Sequence, residues 1–155
     1  MKLFDTKIIS ISNQKGGVGK TTSSVNIATY LAASEIPTLI IDMDPQANST
    51  SGLGIEIQND IKSIYDVIIK EVSPEDAIQK TSLDYLDIIP SSSQLVGAEI
   101  ELVSEISREY MLKEALDKIK GKYKYIIIDS PPSLGLLTLN VLSASNSIII
   151  PIQCE

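Results

Sequence analysis

A short glycine-rich segment between two stretches of regular structure constrains this chain more than any other feature. Residues 8–11 (Ile-Ile-Ser-Ile) are mostly β-branched and uncharged, which predicts a strand buried on both faces. Three glycines fall within residues 16–19, and apolar residues at helical spacing follow directly. A strand, a glycine loop and a helix in this order are the context of a phosphate-binding loop. The segment therefore predicts a parallel α/β fold with an anion site at the end of its first strand.

The residues of this loop have the chemistry that phosphate binding needs. Glycines let the backbone wrap an anion, because no Cβ blocks a positive φ or a close contact. The backbone amides of the loop and of the first helical turn then point at the phosphates. We expect Lys20 to reach the β- and γ-phosphates and the Thr21 hydroxyl to ligate Mg²⁺. The alternative, a glycine-rich turn with a solvated lysine, accounts less well for the flanking strand and helix. The predicted nucleotide-binding residues are Lys15, Gly16, Gly17, Val18, Gly19, Lys20, Thr21 and Thr22.

Composition restricts the class of protein further. The 155 residues fit one domain, 1–155, and the dominance of aliphatic residues with no tryptophan favours a parallel α/β core. With a net charge of −7, the chain as a whole lacks the excess of positive charge that is typical of proteins that bind nucleic acid. Histidine is absent and Cys154 is the one cysteine, which excludes histidine catalysis, an internal disulfide and a cysteine metal cluster. No secretory signal or apolar run of membrane length is present, so we expect a cytoplasmic protein.

The hydrophobic pattern along the chain predicts a mostly parallel, doubly wound sheet with helices on both faces. The predicted strands are 8–11, 38–41, 86–89, 125–128 and 147–152. The predicted helices are one from the loop to about 34–36, a short one at 64–68, one starting at 73–75, one or two over 94–120, and one at 136–142. If residues 94–120 form two helices, the break is expected near Ser107, and Gly121 is the expected C-cap. Residues 49–60 are expected to form a surface loop.

Three aspartates follow buried strands at the sheet edge where ligands bind in open parallel sheets. Asp129 ends the run 125–128, where it could bind Mg²⁺ through a water or orient Thr21. A helix or turn cap is the alternative for such an aspartate. Asp42 and Asp44 follow the run 38–41 two positions apart, and we expect one of them to face the phosphates while the other caps a turn or pairs structurally. For both of them, a turn stabilised by aspartate side chains is the alternative.

The loop departs from the common phosphate-binding pattern in an informative way. Gln14 stands where that pattern has its first glycine, and a second lysine, Lys15, opens the loop. The run Lys-Gly-Gly-Val-Gly-Lys-Thr over 15–21 resembles the deviant Walker A loop of the ParA/MinD family of dimeric ATPases. Further matches are Asp-Met-Asp-Pro-Gln-Ala-Asn (42–48), Gly-Ala-Glu-Ile-Glu-Leu (97–102), Asp-Ser-Pro-Pro-Ser-Leu-Gly (129–135) and Pro-Ile-Gln-Cys-Glu (151–155). Together they are most similar to the chromosome and plasmid partitioning branch, ParA/Soj, in its short form.

This resemblance implies a P-loop NTPase fold, binding of ATP or ADP with Mg²⁺, and weak intrinsic ATPase activity. It implies an ATP-dependent homodimer in which Lys15 reaches the partner's phosphates. The implied catalytic residues are Lys15, Lys20, Asp44 and Asp129, with Asp44 positioning or activating the attacking water. The implied metal site comprises Thr21, Asp129 and Asp42, and residues 129–135 would be the second switch.

The resemblance also implies partners outside this chain. These are a ParB-like activator protein and non-specific DNA, with nucleoid association of the full-length form and no membrane. The chain covers somewhat more than half of a typical member, and the DNA surface of the family lies in the remainder. Two alternatives therefore stay open: a nucleotide-binding or scaffolding module without turnover, and a MinD-like positioning ATPase for another cargo.

The remaining charged residues have simpler expected roles. The lysines within 113–124 compensate helix dipoles and cover solvated faces, with a DNA or partner surface as the alternative. Arg108, the one arginine, is expected on a solvated helix face rather than as a catalytic finger.

Overall fold

The computed structural model describes residues 3–57 and 60–154. Among the described residues the structure has six strands and seven α-helices, and five of the strands lie where the hydrophobic pattern predicts them. The strands are β1 (Lys7–Ile11), β2 (Thr38–Asp42), β3 (Gln79–Lys80), β4 (Leu86–Ile89), β5 (Tyr125–Asp129) and β6 (Ser147–Ile149). The helices are α1 (Lys20–Ala33), α2 (Asn48–Gly52), α3 (Ile64–Ile68), α4 (Pro74–Ala77), α5 (Leu95–Glu101), α6 (Met111–Ile119) and α7 (Leu136–Ala144).

The order of strands in the sheet brings the loop and the carboxylates to one edge. The order is β3-β4-β2-β5-β1-β6, and every pair is parallel except β3 with β4. Strand β5 lies between β1 and β2, so Asp129 is in register with Ile11 on one side and with Asp42 on the other. The ends of these three central strands therefore meet where the glycine loop begins.

The two faces of the sheet are covered by different helices, because side chains alternate along each strand. Ile40 and Ile127 pack on the face that α1 covers, together with Ala28 and Ala32. The neighbouring residues of the same strands pack against α3, α5, α6 and α7 on the other face: Leu39, Ile41, Ile126 and Ile128. The prediction of a doubly wound sheet with helices on both faces is confirmed.

The helical region 94–120 is broken, and the break is wider than the sequence indicates. Between α5 and α6 lie two short 3₁₀ turns, Leu102–Ser104 and Arg108–Tyr110. Ser107 precedes the second turn with a φ of +60°, outside the right-handed helical region. Gly121 follows α6 with a φ of +95°, a conformation typical of a helix C-terminus.

Two further predictions need correction, and one strand was not predicted. Residues 48–52 form the helix α2, so the predicted surface loop 49–60 is wrong over its first part; residues 58 and 59 lie outside the described residues. The last strand ends at Ile149 rather than at 152, and its residues pair only with β1. The two-residue strand β3 was not predicted, since so short an edge strand leaves no periodic signal.

Within the described part of the chain, no helix is both long and apolar enough to cross a membrane.

Candidate functional site

The glycine loop joins β1 to α1 and leaves an open space in front of the helix N-terminus. Gly17 and Gly19 have φ values of +73° and +88°, which residues with a Cβ rarely adopt. Gly19 is the N-cap of α1, and no side chain caps the first amides of that helix. A Cβ added to Gly16, Gly17 or Gly19 would meet no atom within 4 Å, so protein packing alone does not require these glycines. The loop therefore has the shape and the free amide donors of an anion cradle.

The lysine of the loop is held in place by the loop's own backbone. Lys20 is only 7% exposed, and its Nζ donates to the carbonyl of Lys15 at 3.1 Å. The amide of Lys15 in turn donates to Oδ1 of Asn13 at 2.9 Å, which tightens the start of the loop. The ammonium of Lys20 is therefore pre-oriented inside the loop, while Lys15 itself is exposed.

The segment after β6 forms hydrogen bonds with the loop and with the residue that precedes it by two positions, Asn13. The amide group of Gln153 donates to the carbonyl of Gly17 at 3.2 Å, and that of Asn13 donates to the carbonyl of Pro151 at 2.8 Å. The motif 151–155, which the sequence singles out without a role, thus supports the loop through Gln153. Its last residue, Glu155, lies outside the described residues.

A cleft of about 380 Å³ lies in front of the loop. Its wall combines the loop, the start of α1, the segment after β2 and one proline of the 129–135 stretch. The lining residues are Gly16, Gly17, Gly19, Lys20, Thr21, Thr22, Asp44, Gln46, Asn48 and Pro132. Six of the eight residues predicted for nucleotide binding line this cleft, whereas Val18 is buried beneath the loop and Lys15 is exposed beside it.

Asp44 is the carboxylate that borders the cleft. It is 7% exposed, and its Oδ1 accepts a hydrogen bond from the amide of Gln46 at 2.9 Å. Strand β2 ends at Asp42, so Asp44 lies beyond the strand. On a continuous strand the two carboxylates would share a face, and they have different surroundings because the strand stops between them.

Asp129 is fully buried and accepts hydrogen bonds from three hydroxyl groups. Ser49 donates to its Oδ2 at 2.7 Å and Ser24 to its Oδ1 at 3.2 Å, and the Thr21 hydroxyl also donates to it. Burial raises the pKa of Asp129. The three hydroxyl groups lower this pKa, and the nearby charge of Asp44 raises it. Each oxygen of Asp129 thus accepts a hydrogen bond from a neighbouring hydroxyl group, and its predicted roles at a metal ion and at Thr21 stay predictions.

Asp42 lies behind the cleft rather than in its wall. Its Oδ2 accepts from the amide and the hydroxyl of Thr50, at 2.9 and 2.7 Å, and its Oδ1 accepts from the amide of Asp44 at 3.1 Å. Burial raises the pKa of Asp42 to about 6; the Thr50 hydrogen bonds lower it and the charge of Asp129 raises it. The predicted direct role of Asp42 at a metal stays untested, and its oxygens are already engaged by α2 and Asp44.

Magnesium can be accommodated here only with few protein ligands. Among the described residues, no group of three histidine, cysteine, aspartate or glutamate side chains could hold a metal ion. Mg²⁺ characteristically keeps waters and phosphate oxygens and takes one or two protein ligands. The hydroxyl of Thr21, at the start of α1 and bonded to Asp129, fits that requirement.

The stretch 129–135 is anchored to β1 and reaches α5. Ser130 donates from both its amide and its hydroxyl to the carbonyl of Ile11, the hydroxyl at 2.8 Å. A Cβ on Gly135 would overlap the carboxylate of Glu99, whose Oε1 accepts from the amide of Leu137 at 3.4 Å. The motif 97–102 therefore contacts the end of the stretch 129–135 through Glu99.

The remaining candidates lie away from the cleft. Arg108 donates to the carbonyl of Val103 at 2.7 Å in the turn before α6 and does not line the cleft. Two lysines of the 113–124 cluster form ion pairs, Lys120 with Asp117 and Lys122 with Glu75.

The sequence did not indicate Ser49 and Thr50 as part of the site. Both are fully buried in α2 and bond the two strand-end carboxylates. The available signal was that hydroxyl residues stand shortly after the Asp-x-Asp-Pro-Gln run, beyond Ala47 and Asn48, where short polar side chains can reach a strand end.

Together, the sheet order, the glycine loop and its lysine define the chain as a P-loop NTPase fold with a deviant Walker A loop. A family model described as an AAA domain (AAA_31) matches residues 6–155. The chain belongs to that family.

Two curated relatives are similar along almost the whole chain. The sporulation initiation inhibitor protein Soj of Bacillus subtilis (strain 168) is 56% identical over 149 residues, which cover 96% of this chain and 59% of the relative. The chromosome partitioning protein ParA of Myxococcus xanthus (strain DK1622) is 51% identical over 149 residues, 96% of this chain and 53% of the relative. The resemblance to the ParA/Soj branch is confirmed.

A solved structure agrees with the fold. Cobyrinic acid a,c-diamide synthase from Mycobacterium smegmatis, with bound ADP and magnesium, superposes with a TM-score of 0.93 at 40% identity, covering 97% of this chain and 61% of that protein. The chain thus spans between 53% and 61% of the length of these three proteins.

Proposed function

We propose that this chain is the nucleotide-binding part of a slowly hydrolysing ATPase that partitions chromosomal or plasmid DNA. One observation carries the proposal: a lysine-bearing glycine loop and the carboxylate Asp44 face each other across one cleft. The similarity to Soj and to the ParA partitioning protein supports the biological role. The solved relative with ADP and magnesium supports a nucleotide with a divalent cation in the cleft.

The loop residues are proposed to bind the phosphates. The uncapped amides of α1 and the glycine loop donate to phosphate oxygens, and the pre-oriented ammonium of Lys20 neutralises their charge. Bound Mg²⁺ supplies further charge neutralisation on the phosphoryl group. Thr21 holds it through its hydroxyl, and Asp129 fixes that hydroxyl in orientation. Asp42 is proposed to act indirectly, through Asp44 and α2.

Asp44 is proposed to position the attacking water at the wall of the cleft. The amide of Gln46 fixes one of its carboxylate oxygens and leaves the other to accept a proton or a hydrogen bond. Phosphoryl transfer depends mainly on positioning and charge neutralisation, and no arginine lines this cleft in the described part of the chain. Slow intrinsic hydrolysis is therefore expected, with Lys15 of one protomer acting on the phosphates of its partner.

The partners are proposed for a full-length protein of this family. This chain spans slightly more than half the length of the relatives Soj and ParA. The proposed partners are a second copy in the ATP state, non-specific DNA bound through the rest of the protein, and a ParB-like activator that stimulates hydrolysis. ATP-dependent retention of DNA by the full-length protein separates this role from positioning of another cargo. Steady-state release of phosphate separates an ATPase from a binding module without turnover.

Replacing the loop lysine tests the nucleotide site. Lys20→Ala removes the buried ammonium, so binding of a fluorescent ATP analogue with Mg²⁺ should weaken at least about tenfold, roughly 1.4 kcal/mol. Asp44→Ala should keep the affinity of the wild type and stop phosphate release. Lys113→Ala, a lysine over the ring of Tyr110 and outside the cleft, is the control and should change neither. Wild-type affinity in Lys20→Ala would contradict the assignment of the loop.

A further inference from the structure

Three consecutive hydroxyl residues in α2 differ sharply in their surroundings. Ser49 and Thr50 are fully buried, whereas Ser51 is exposed and donates to the carbonyl of Ala47 at 3.0 Å within its own helix. The two buried hydroxyl groups turn towards the sheet and reach a carboxylate each. A helix of this length has little stability of its own, so tertiary contacts decide whether it forms.

Ser49 connects α2 to the end of β5. Its hydroxyl donates to Oδ2 of Asp129 at 2.7 Å, across 80 positions of sequence. Thr21 donates to the same carboxylate from α1. Through Ser49, α2 is tied to the group that orients the hydroxyl next to the phosphates.

Thr50 connects α2 to the end of β2 and to the segment that follows β4. Its hydroxyl donates to Oδ2 of Asp42 at 2.7 Å and accepts from the amide of Ser91 at 3.0 Å. Its amide donates to the same carboxylate oxygen at 2.9 Å. All of these groups are buried, where an unpaired donor or acceptor is costly.

The residues 44–48, which we call the cleft segment, lead from the end of β2 into α2 and directly precede Ser49 and Thr50. Asp44, Gln46 and Asn48 of this segment line the cleft. Ala47 within it has a φ of +54°, a left-handed conformation that is unfavourable for a residue with a Cβ. The surrounding contacts must therefore hold the segment in a shape that its own backbone does not prefer.

We propose that Ser49 and Thr50 are positioning residues that clamp the cleft segment to the ends of β5 and β2, and so hold Asp44 against the phosphate loop. This inference rests on the proposed function for its consequence in turnover, but its structural part does not require nucleotide. Ser49 holds Asp129, which orients the Thr21 hydroxyl proposed to bind Mg²⁺. Thr50 holds Asp42, which in turn bonds the amide of Asp44, the residue proposed to position the attacking water.

Hydrogen exchange of the nucleotide-free chain tests the clamp directly. In Ser49→Ala and in the isosteric Thr50→Val, the amides of the cleft segment and of residue 50 should exchange about tenfold faster than in the wild type. Thr50→Ser keeps the hydroxyl and should return exchange to within about threefold of the wild type. Ser51→Ala is the matched control from the same helix and should change exchange by less than about twofold, because the carbonyl of Ala47 keeps its bond from the amide of residue 51.

A second measurement separates positioning from a general loss of structure. With ATP and Mg²⁺, both variants should keep the nucleotide affinity within about threefold while phosphate release falls about tenfold. For Ser49→Ala, half-saturation with Mg²⁺ should also move to a higher concentration, because Asp129 loses the donor that holds it. Thr50→Ser should recover most of the phosphate release.

Wild-type exchange in both Ser49→Ala and Thr50→Val would overturn the proposal, as would an equal effect of Ser51→Ala. If Thr50→Val does not fold, the comparison of Ser49→Ala with Ser51→Ala decides the matter. A wild-type chain that binds no ATP would refute the proposed function, whereas the exchange results would still support or overturn the clamp.

Discussion

At the scale of single residues, two buried carboxylates end neighbouring strands and are satisfied by hydroxyl groups rather than by cations. Asp42 and Asp129 are fully buried, and among the described residues neither forms an ion pair with lysine or arginine. A buried carboxylate without a cation resists ionisation, which is why burial is the largest influence on the pKa of both groups. A cation bound nearby would favour the ionised form of these carboxyl groups.

This arrangement predicts how stability depends on pH. The pKa of Asp42 is raised from 3.8 to about 6 in the folded chain, so between these values the folded state binds more protons than the unfolded state. The contribution of Asp42 is therefore fully present below about pH 4 and is lost as pH rises through about 6. Between about pH 5 and pH 7 it should lower the free energy of unfolding by about 1 kcal/mol.

Urea denaturation at a series of pH values measures this effect as a difference between the wild type and Asp42→Asn. The variant cannot titrate at this position, so the wild type should lose stability relative to it as pH rises from about 5 to 7. A difference that stays constant over this range would show that Asp42 has an ordinary pKa.

Residues of the loop could be predicted from sequence, and those of α2 could not. The loop is local: Lys20 follows its glycines directly, and strand and helix patterns flank it. Asp44 and Asp129 could be placed because parallel strands end at a common edge. The roles of Ser49 and Thr50 depend on contacts with strands far away in sequence, and no local pattern distinguishes them from Ser51.

At the scale of elements, a buried asparagine joins α7 to the turn before α6. The amide group of Asn140 donates to the carbonyls of Arg108 and Leu136, and its Oδ1 accepts from the amide of Leu112 at 3.0 Å. These bonds satisfy backbone groups that the break between α5 and α6 leaves unpaired. The break near Ser107 is thus stabilised by a contact across the fold, which is why sequence left one helix or two as alternatives.

Asn140→Ala should destabilise the fold by about 2 kcal/mol, because the buried amide of Leu112 and the partly buried carbonyl of Arg108 lose their partner. Leu139→Ala, a change at the neighbouring half-exposed residue, is the control and should cost less than about 1 kcal/mol. The free energy of unfolding in urea compares the two variants. Equal effects would mean that water or a shifted side chain replaces the bonds of Asn140.

At the scale of the whole molecule, the sheet order creates the site. Strand β5, distant in sequence, inserts between β1 and β2 and brings Asp129 beside both the glycine loop and Asp42. The doubly wound class follows from alternating buried strands and amphipathic helices. The insertion of β5 does not follow from those patterns, because several strand orders bury the same residues equally well.

The outer strand of this sheet is exposed. Ile148 and Ile149 of β6 are 48% and 40% exposed, and β6 pairs on one side only among the described strands. An apolar strand edge of this kind is prone to pair with another chain. Solution studies of assembly therefore need a control that separates nucleotide-dependent association from association through this edge.

The size of the chain in solution, with and without ATP and Mg²⁺, tests the central claim most directly. The wild type should shift from monomer to dimer only with ATP and Mg²⁺, since Lys15 of each protomer would act on the phosphates of the other. Lys15→Ala should bind ATP yet remain monomeric, and association through the β6 edge would be the same in both proteins with or without nucleotide. A wild type that binds ATP at saturation and stays monomeric, or a Lys15→Ala variant that dimerises equally well, would contradict a nucleotide-switched dimer.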